Sequence, residues 1–142
     1  MTASEKVYEG SCHCGRVRYR VTGPWGPMNH CHCTDCQKVH GAAFATYVQI
    51  PRERFTYLQG EDQLRTHQAE AGTQRSFCRT CGAKITSGSA EEPASLWVAV
   101  ATLDTPLDQK LECDHIFVRS KAPWYDIHDD LPQHQTYAEP DA

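Results

Sequence analysis

Long apolar runs are missing from this chain. No stretch approaches the roughly 18 consecutive apolar residues that cross a bilayer, so no membrane partner is expected. The opening residues, MTASEKVYEG, hold no apolar segment either. They predict no export signal, and the default compartment is then the reducing cytoplasm. Positive charge is in short supply. Against 14 Lys and Arg stand 18 Asp and Glu, a net charge of −4. A chain without a basic field is not expected to hold nucleic acid. Blocks of like charge, internal repeats and low-complexity tracts are also absent, which leaves an ordinary solvated surface.

Helical periodicity is almost as scarce. Only TDCQKVHG (34–41) reads as a helix, with Thr34 as N-cap, Asp35 at its positive end and Gly41 to stop it. Strand patterns fill much of the rest. In RVRYRVT (16–22), Val17, Tyr19 and Val21 alternate with Arg16, Arg18 and Arg20, the mark of a half-buried strand. AFATYVQI (43–50), GTQRSF (72–77) and DHIFVRS (114–120) read as further strands. RFTYLQG (54–60) and DQLRTHQA (62–69) suggest a hairpin turning at Gly60 and Glu61. ASLWVAVATL (94–103) is nearly continuously apolar and is expected to be the strand most buried on both faces. The 142 residues fit one mostly β domain of short antiparallel strands, with a core over about 8–132 and a loose tail at 133–142.

What the chain has in plenty is cysteine, eight residues in clusters. A disulfide framework conflicts with a reducing compartment, and a Cys-x-Cys bridge would close a very small, strained ring. Metal binding or thiol chemistry remains. Cys12 and Cys14 lie two apart, so in extended backbone both thiols point the same way. Cys78 and Cys81 form a Cys-x-x-Cys knuckle. Gly15 and Gly82 follow these pairs directly and permit the positive φ that such turns need. Together the two pairs supply the four ligands of a closed, structural zinc site.

Cys31, Cys33 and Cys36 in HCHCTDC (30–36) form a separate trio. Three ligands leave a fourth position for water or substrate, which is the layout of a catalytic zinc, and a thiolate-rich site suits a sulfur substrate. A second closed site, completed by a nearby His or by Cys113, is the bland alternative. An iron–sulfur cluster fits the ligand type, but the spacing matches neither ferredoxin pattern. His13 and His32 sit between paired cysteines and should point away from the metals. His30 and His40 flank the trio, either as a fourth ligand or facing solvent. Cys113 stands alone, either an inert buried thiol or the residue that closes the second site.

GSCHCGRVRY, HCHCTDCQKVHGAAF, FCRTCGAKI and DHIFVRSKAPWYDIHDDLP, in that order, resemble the glutathione-dependent formaldehyde-activating enzyme family, which also contains centromere protein V. The resemblance implies a β-tent-like fold of small antiparallel sheets with two zinc ions. It implies structural zinc on Cys12, Cys14, Cys78 and Cys81, and a catalytic-type zinc on Cys31, Cys33 and Cys36. The implied activity is that of a carbon–sulfur lyase joining or parting formaldehyde and glutathione in S-hydroxymethylglutathione. A non-enzymatic zinc module for protein interaction and a thiol redox sensor are the competing expectations. Glutathione carries two carboxylates, so basic groups should line its cleft, drawn from Lys38, Arg52, Arg54, Arg75, Arg119 and Lys121. Trp124 and Tyr125 either wall that cleft or anchor the C-terminal segment.

Overall fold

A computed structural model of the chain describes residues 5–138. Ten strands and one α-helix build two sheets. The smaller sheet has three strands: β1 (Val7–Ser11), β2 (Arg18–Thr22) and β5 (Phe55–Gln59), in the order β1-β2-β5. The larger has seven: β3 (Met28–Cys31), β4 (Ala45–Pro51), β6 (Leu64–Gln68), β7 (Thr73–Cys78), β8 (Lys84–Ser89), β9 (Ser95–Ala99) and β10 (Cys113–Ile116). Their order is β10-β3-β4-β9-β8-β7-β6. The helix α1 (Thr34–His40) is the single α-helix among the described residues.

Period-two patterning explains how the sheets meet. On β2, Tyr19 and Val21 are buried while Arg18 and Arg20 face water. They join Tyr8 of β1 and meet Val48, Ile50, Ile85, Leu96 and Val98 of the large sheet, forming the main core. Alternate residues of β4 and β9 point to the opposite face. There Ala45, Tyr47, Trp97 and Ala99 gather with Cys36 of α1. Thus β9 is central and well covered, but its two faces differ. Leu96 and Val98 are sealed in the core, whereas Ser95, Trp97 and Ala99 are half-buried towards α1.

Three local expectations are corrected. Residues 54–69 are not a hairpin: β5 pairs with β2 in one sheet and β6 with β7 in the other. The turn at Gly60 and Glu61 carries the chain between sheets, because each strand finds its hydrogen-bond partner elsewhere. Strand pairing is not wholly antiparallel either, since β10 lies parallel to β3, with Cys113 opposite Met28 and Ile116 opposite Cys31. β10 ends at Ile116 because Phe117 turns into the left-handed region at φ 56. Finally, residues 133–137 are not loose. Gln133 bridges to His115, the His134 N–H donates to the His115 carbonyl, and the Phe117 N–H donates to Thr136. Tyr137 packs edge-on against Phe117. Residues 139–142 of the expected tail lie outside the described residues.

Candidate metal centre

Cys12 and Cys14 lie in the turn that joins β1 to β2, and Cys78 and Cys81 flank the turn from β7 to β8. The four Sγ atoms lie within 4.8 Å of one another. Cys12 Sγ is 3.6 Å from Cys14 Sγ, which is 3.7 Å from Cys78 Sγ. Four sulfurs at about 2.3 Å from one tetrahedral zinc would stand about 3.8 Å apart, so the donor set fits that ion. Gly15 and Gly82 adopt φ of 81° and 78°, as their positions after each pair predict. Backbone amides help charge the sulfurs. The Val17 N–H donates to Cys12 Sγ at 3.3 Å. The Arg16 N–H, then its side chain, lowers Cys14 to about 6, whereas burial pushes Cys12 up.

The trio forms around the start of α1. Cys31 is the last residue of β3, and Cys36 is buried on the first helical turn. Cys33, rather than Thr34, is the N-cap: its Sγ accepts the Cys36 N–H at 3.3 Å. The cap thus comes from the same side chain that the trio needs. Its three Sγ atoms lie within 4.8 Å of one another. Hydrogen bonds from Cys31 and Cys36 hold Cys33 far below the ordinary thiol range, helped by the Cys36 N–H and by the charge of Arg75. The same Cys33 contact pushes Cys31 up.

No other expected ligand joins the trio. His13 is exposed. His30 is half-buried, with Nδ1 2.7 Å from Thr46 Oγ1, and His40 Nε2 lies 2.9 Å from Tyr47 Oη. Cys113 is buried opposite Met28, at the far end of β3 from Cys31. Three strand steps of about 3.3 Å separate those ends, so Cys113 does not close the site. His32 points away from the sulfurs, as extended backbone requires, and is fully buried. Its Nε2 lies 2.8 Å from His115 Nδ1, and His115 Nε2 lies 3.0 Å from Asp129 Oδ2. The carboxylate can only accept, so His115 Nε2–H donates to it, and a single proton lies between His115 Nδ1 and His32 Nε2.

The basic candidates separate just as clearly. Arg75 is buried with Nη2 3.7 Å from Cys36 Sγ. Lys38 lines a cleft of about 260 Å³ along α1, together with Thr34, Gln37, Ala42 and Trp124. Arg52 donates to the Pro93 carbonyl, Arg54 to that of Gly23, and Lys121 to those of Ala122 and Tyr125. Arg119 lies over the Phe117 ring. Trp124 is 72% exposed and walls the cleft, whereas Tyr125 anchors its segment edge-on against Phe44. The His32–His115–Asp129 chain had no local signal in the sequence, because the parallel β10–β3 pairing creates it.

Compared with known proteins, residues 7–120 match the profile of the family described as glutathione-dependent formaldehyde-activating enzyme. The chain belongs to that family. It is 29% identical over 128 residues to a Halomonas elongata protein named for the same family, covering 85% of this chain and 81% of the relative. It is also similar to the crystal structure of a Rhodobacter sphaeroides protein solved in structural genomics. That similarity has a TM-score of 0.60 at 22% identity, over 74% of this chain and 98% of the other, and concerns the fold. For this family member, two cysteine clusters with metal-binding geometry are thus in place, one of four residues and one of three.

Proposed function

We propose that this protein is a zinc-dependent carbon–sulfur lyase acting on a thiol adduct of the S-hydroxymethylglutathione type. The observation that carries the reading is the trio: three converging sulfurs with no fourth protein ligand in the cluster among the described residues. Cys31, Cys33 and Cys36 would hold one zinc, and Cys12, Cys14, Cys78 and Cys81 a second, structural one. Zinc at the trio supplies Lewis acidity and lowers the pKa of a thiol taken as fourth ligand.

In the cleaving direction the carbon–sulfur bond breaks, the hydroxyl carbon becomes the aldehyde, and the hydroxyl proton ends on the released thiol. The chain's own residues along α1 would position the thiol partner. Lys38 and Trp124 give the cleft along α1 a cation for a carboxylate and an apolar wall for the peptide part. A reducing, cytoplasmic setting suits eight cysteines of which none forms a disulfide.

Metal content per chain and adduct turnover test the reading together. About two zinc ions are expected in the wild type and about one in Cys33→Ala with the fold retained, consistent with one ion per cluster. Adduct formation from formaldehyde and glutathione should exceed the spontaneous rate only in the wild type. Two zinc ions without acceleration over several thiols and aldehydes would instead mark a non-enzymatic zinc module. One zinc in both proteins would mean that the trio does not hold metal.

A further inference from the structure

Arg75 is a buried cation beside the trio. It lies on β7, in one row with Ser87 of β8 and Trp97 of β9, and so points to the α1 side of the large sheet. The residue is 4% exposed. Nη2 donates to Cys36 Sγ at 3.7 Å, while Nε and Nη1 are buried without any partner. Among the described residues no carboxylate pairs with it. A guanidinium stays charged even when buried, so it needs a compensating negative charge nearby. The nearest source of such charge is the trio.

We infer that Arg75 is the built-in counter-charge of the three-cysteine centre and biases its fourth position towards an anionic sulfur ligand. The inference rests on the metal reading given above. Three thiolates around a divalent ion carry a net charge of −1, which Arg75 brings to zero. A thiolate entering the fourth position then makes the ensemble −1 rather than −2. A neutral ligand such as imidazole gains no comparable benefit from Arg75. The cation therefore selects for a thiol substrate bound as thiolate. Nε and Nη1 are sealed from solvent, so Arg75 acts through the cysteines as a positioning residue and does not touch the substrate.

The test compares Arg75→Met, which removes the charge at similar volume, with Arg75→Lys, which keeps it. Chelator competition on the full chain reads both sites, with Cys33→Ala assigning which release phase belongs to the trio. In Arg75→Met, affinity at the trio should fall about tenfold, the scale expected for loss of a group supporting metal ligands. Arg75→Lys should stay within about threefold of wild type, and the four-cysteine site should not change in either variant. Cobalt-loaded protein titrated with 2-mercaptoethanol and with imidazole gives the second readout. The preference for thiolate should drop in Arg75→Met and survive in Arg75→Lys.

Three results overturn the inference: a Met variant that keeps both affinity and thiolate preference, a Lys variant as impaired as Met, or a wild-type trio that takes no metal. Only the last also removes the proposed function. Should Arg75→Met fail to load even the four-cysteine site, Arg75→Gln against Arg75→Lys carries the same comparison.

Discussion

At the scale of single residues, alternate side chains of one short segment do opposite work. Cys31 and Cys33 face α1, while His30 and His32 face the other way, onto His115 and Phe44. Burial first, then the charges of His115, His30 and Lys121, holds His32 down at about 4. The unfolded ring titrates near its ordinary value of about 6.5. Between these values the unfolded chain binds more protons than the folded one. The stability contributed by the neutral ring is therefore complete above about 6.5 and is lost as pH falls towards 4. Ring resonances followed by NMR should give a His32 midpoint about two units below the usual histidine range. A midpoint at or above 6 would mean that the ring is not sealed.

At the scale of elements, α1 is the short helix that carries Cys36 and is capped by Cys33. Its position, its stop at Gly41 (φ 59) and its acidic first turn follow from local sequence. Its docking does not. Gln37 Nε2 donates to the His32 carbonyl at 2.8 Å and to the Ser120 carbonyl at 2.9 Å. One side chain thus ties the helix to the cysteine segment and to the turn after β10. Gln37→Met removes both bonds and leaves two part-buried carbonyls without that donor. Urea unfolding should show a loss of about 1–3 kcal/mol. The metal content of the four-cysteine site should not change. Strands with clear alternation, such as β2, were legible in the same local way. β1, β3 and β8 were not: β1 follows a polar leader, β3 runs into the cysteine cluster, and β8 ends in small polar residues.

At the scale of the whole molecule, the four-cysteine cluster joins the two sheets. One pair belongs to the β1–β2 hairpin of the small sheet and the other to the β7–β8 hairpin of the large one. Cys14 and Cys78 are 64 positions apart, so a metal held there closes a long loop of chain. By the chain-entropy relation for cross-links, closing a loop of that length is worth about 4 kcal/mol. A small domain has a net stability of about 5–15 kcal/mol, so the cross-link is a large share of it. Cys78→Ser, or a strong chelator, should lower the melting temperature by more than about 10 °C in far-UV circular dichroism. Cys33→Ala should shift it far less, because the trio links only β3 to the adjoining helix.

The sequence by itself determined what short-range chemistry can specify. Cysteine spacing sorted seven thiols into a set of four and a set of three, glycines marked the knuckle turns, and alternation marked β2. The family signature lay in the same local motifs. Tertiary structure decided everything that depends on partners distant along the chain. Parallel pairing of β10 with β3 placed His115 beside His32. The register of β7 with β8 and β9 set Arg75 against Cys36. It also sent β5 and β6 into different sheets and laid residues 133–137 along β10. Strand pairing joins backbone groups with little regard to side-chain identity, so no local pattern announces which strands meet. A buried charge such as Arg75 looks like any surface arginine until the sheet around it is assembled.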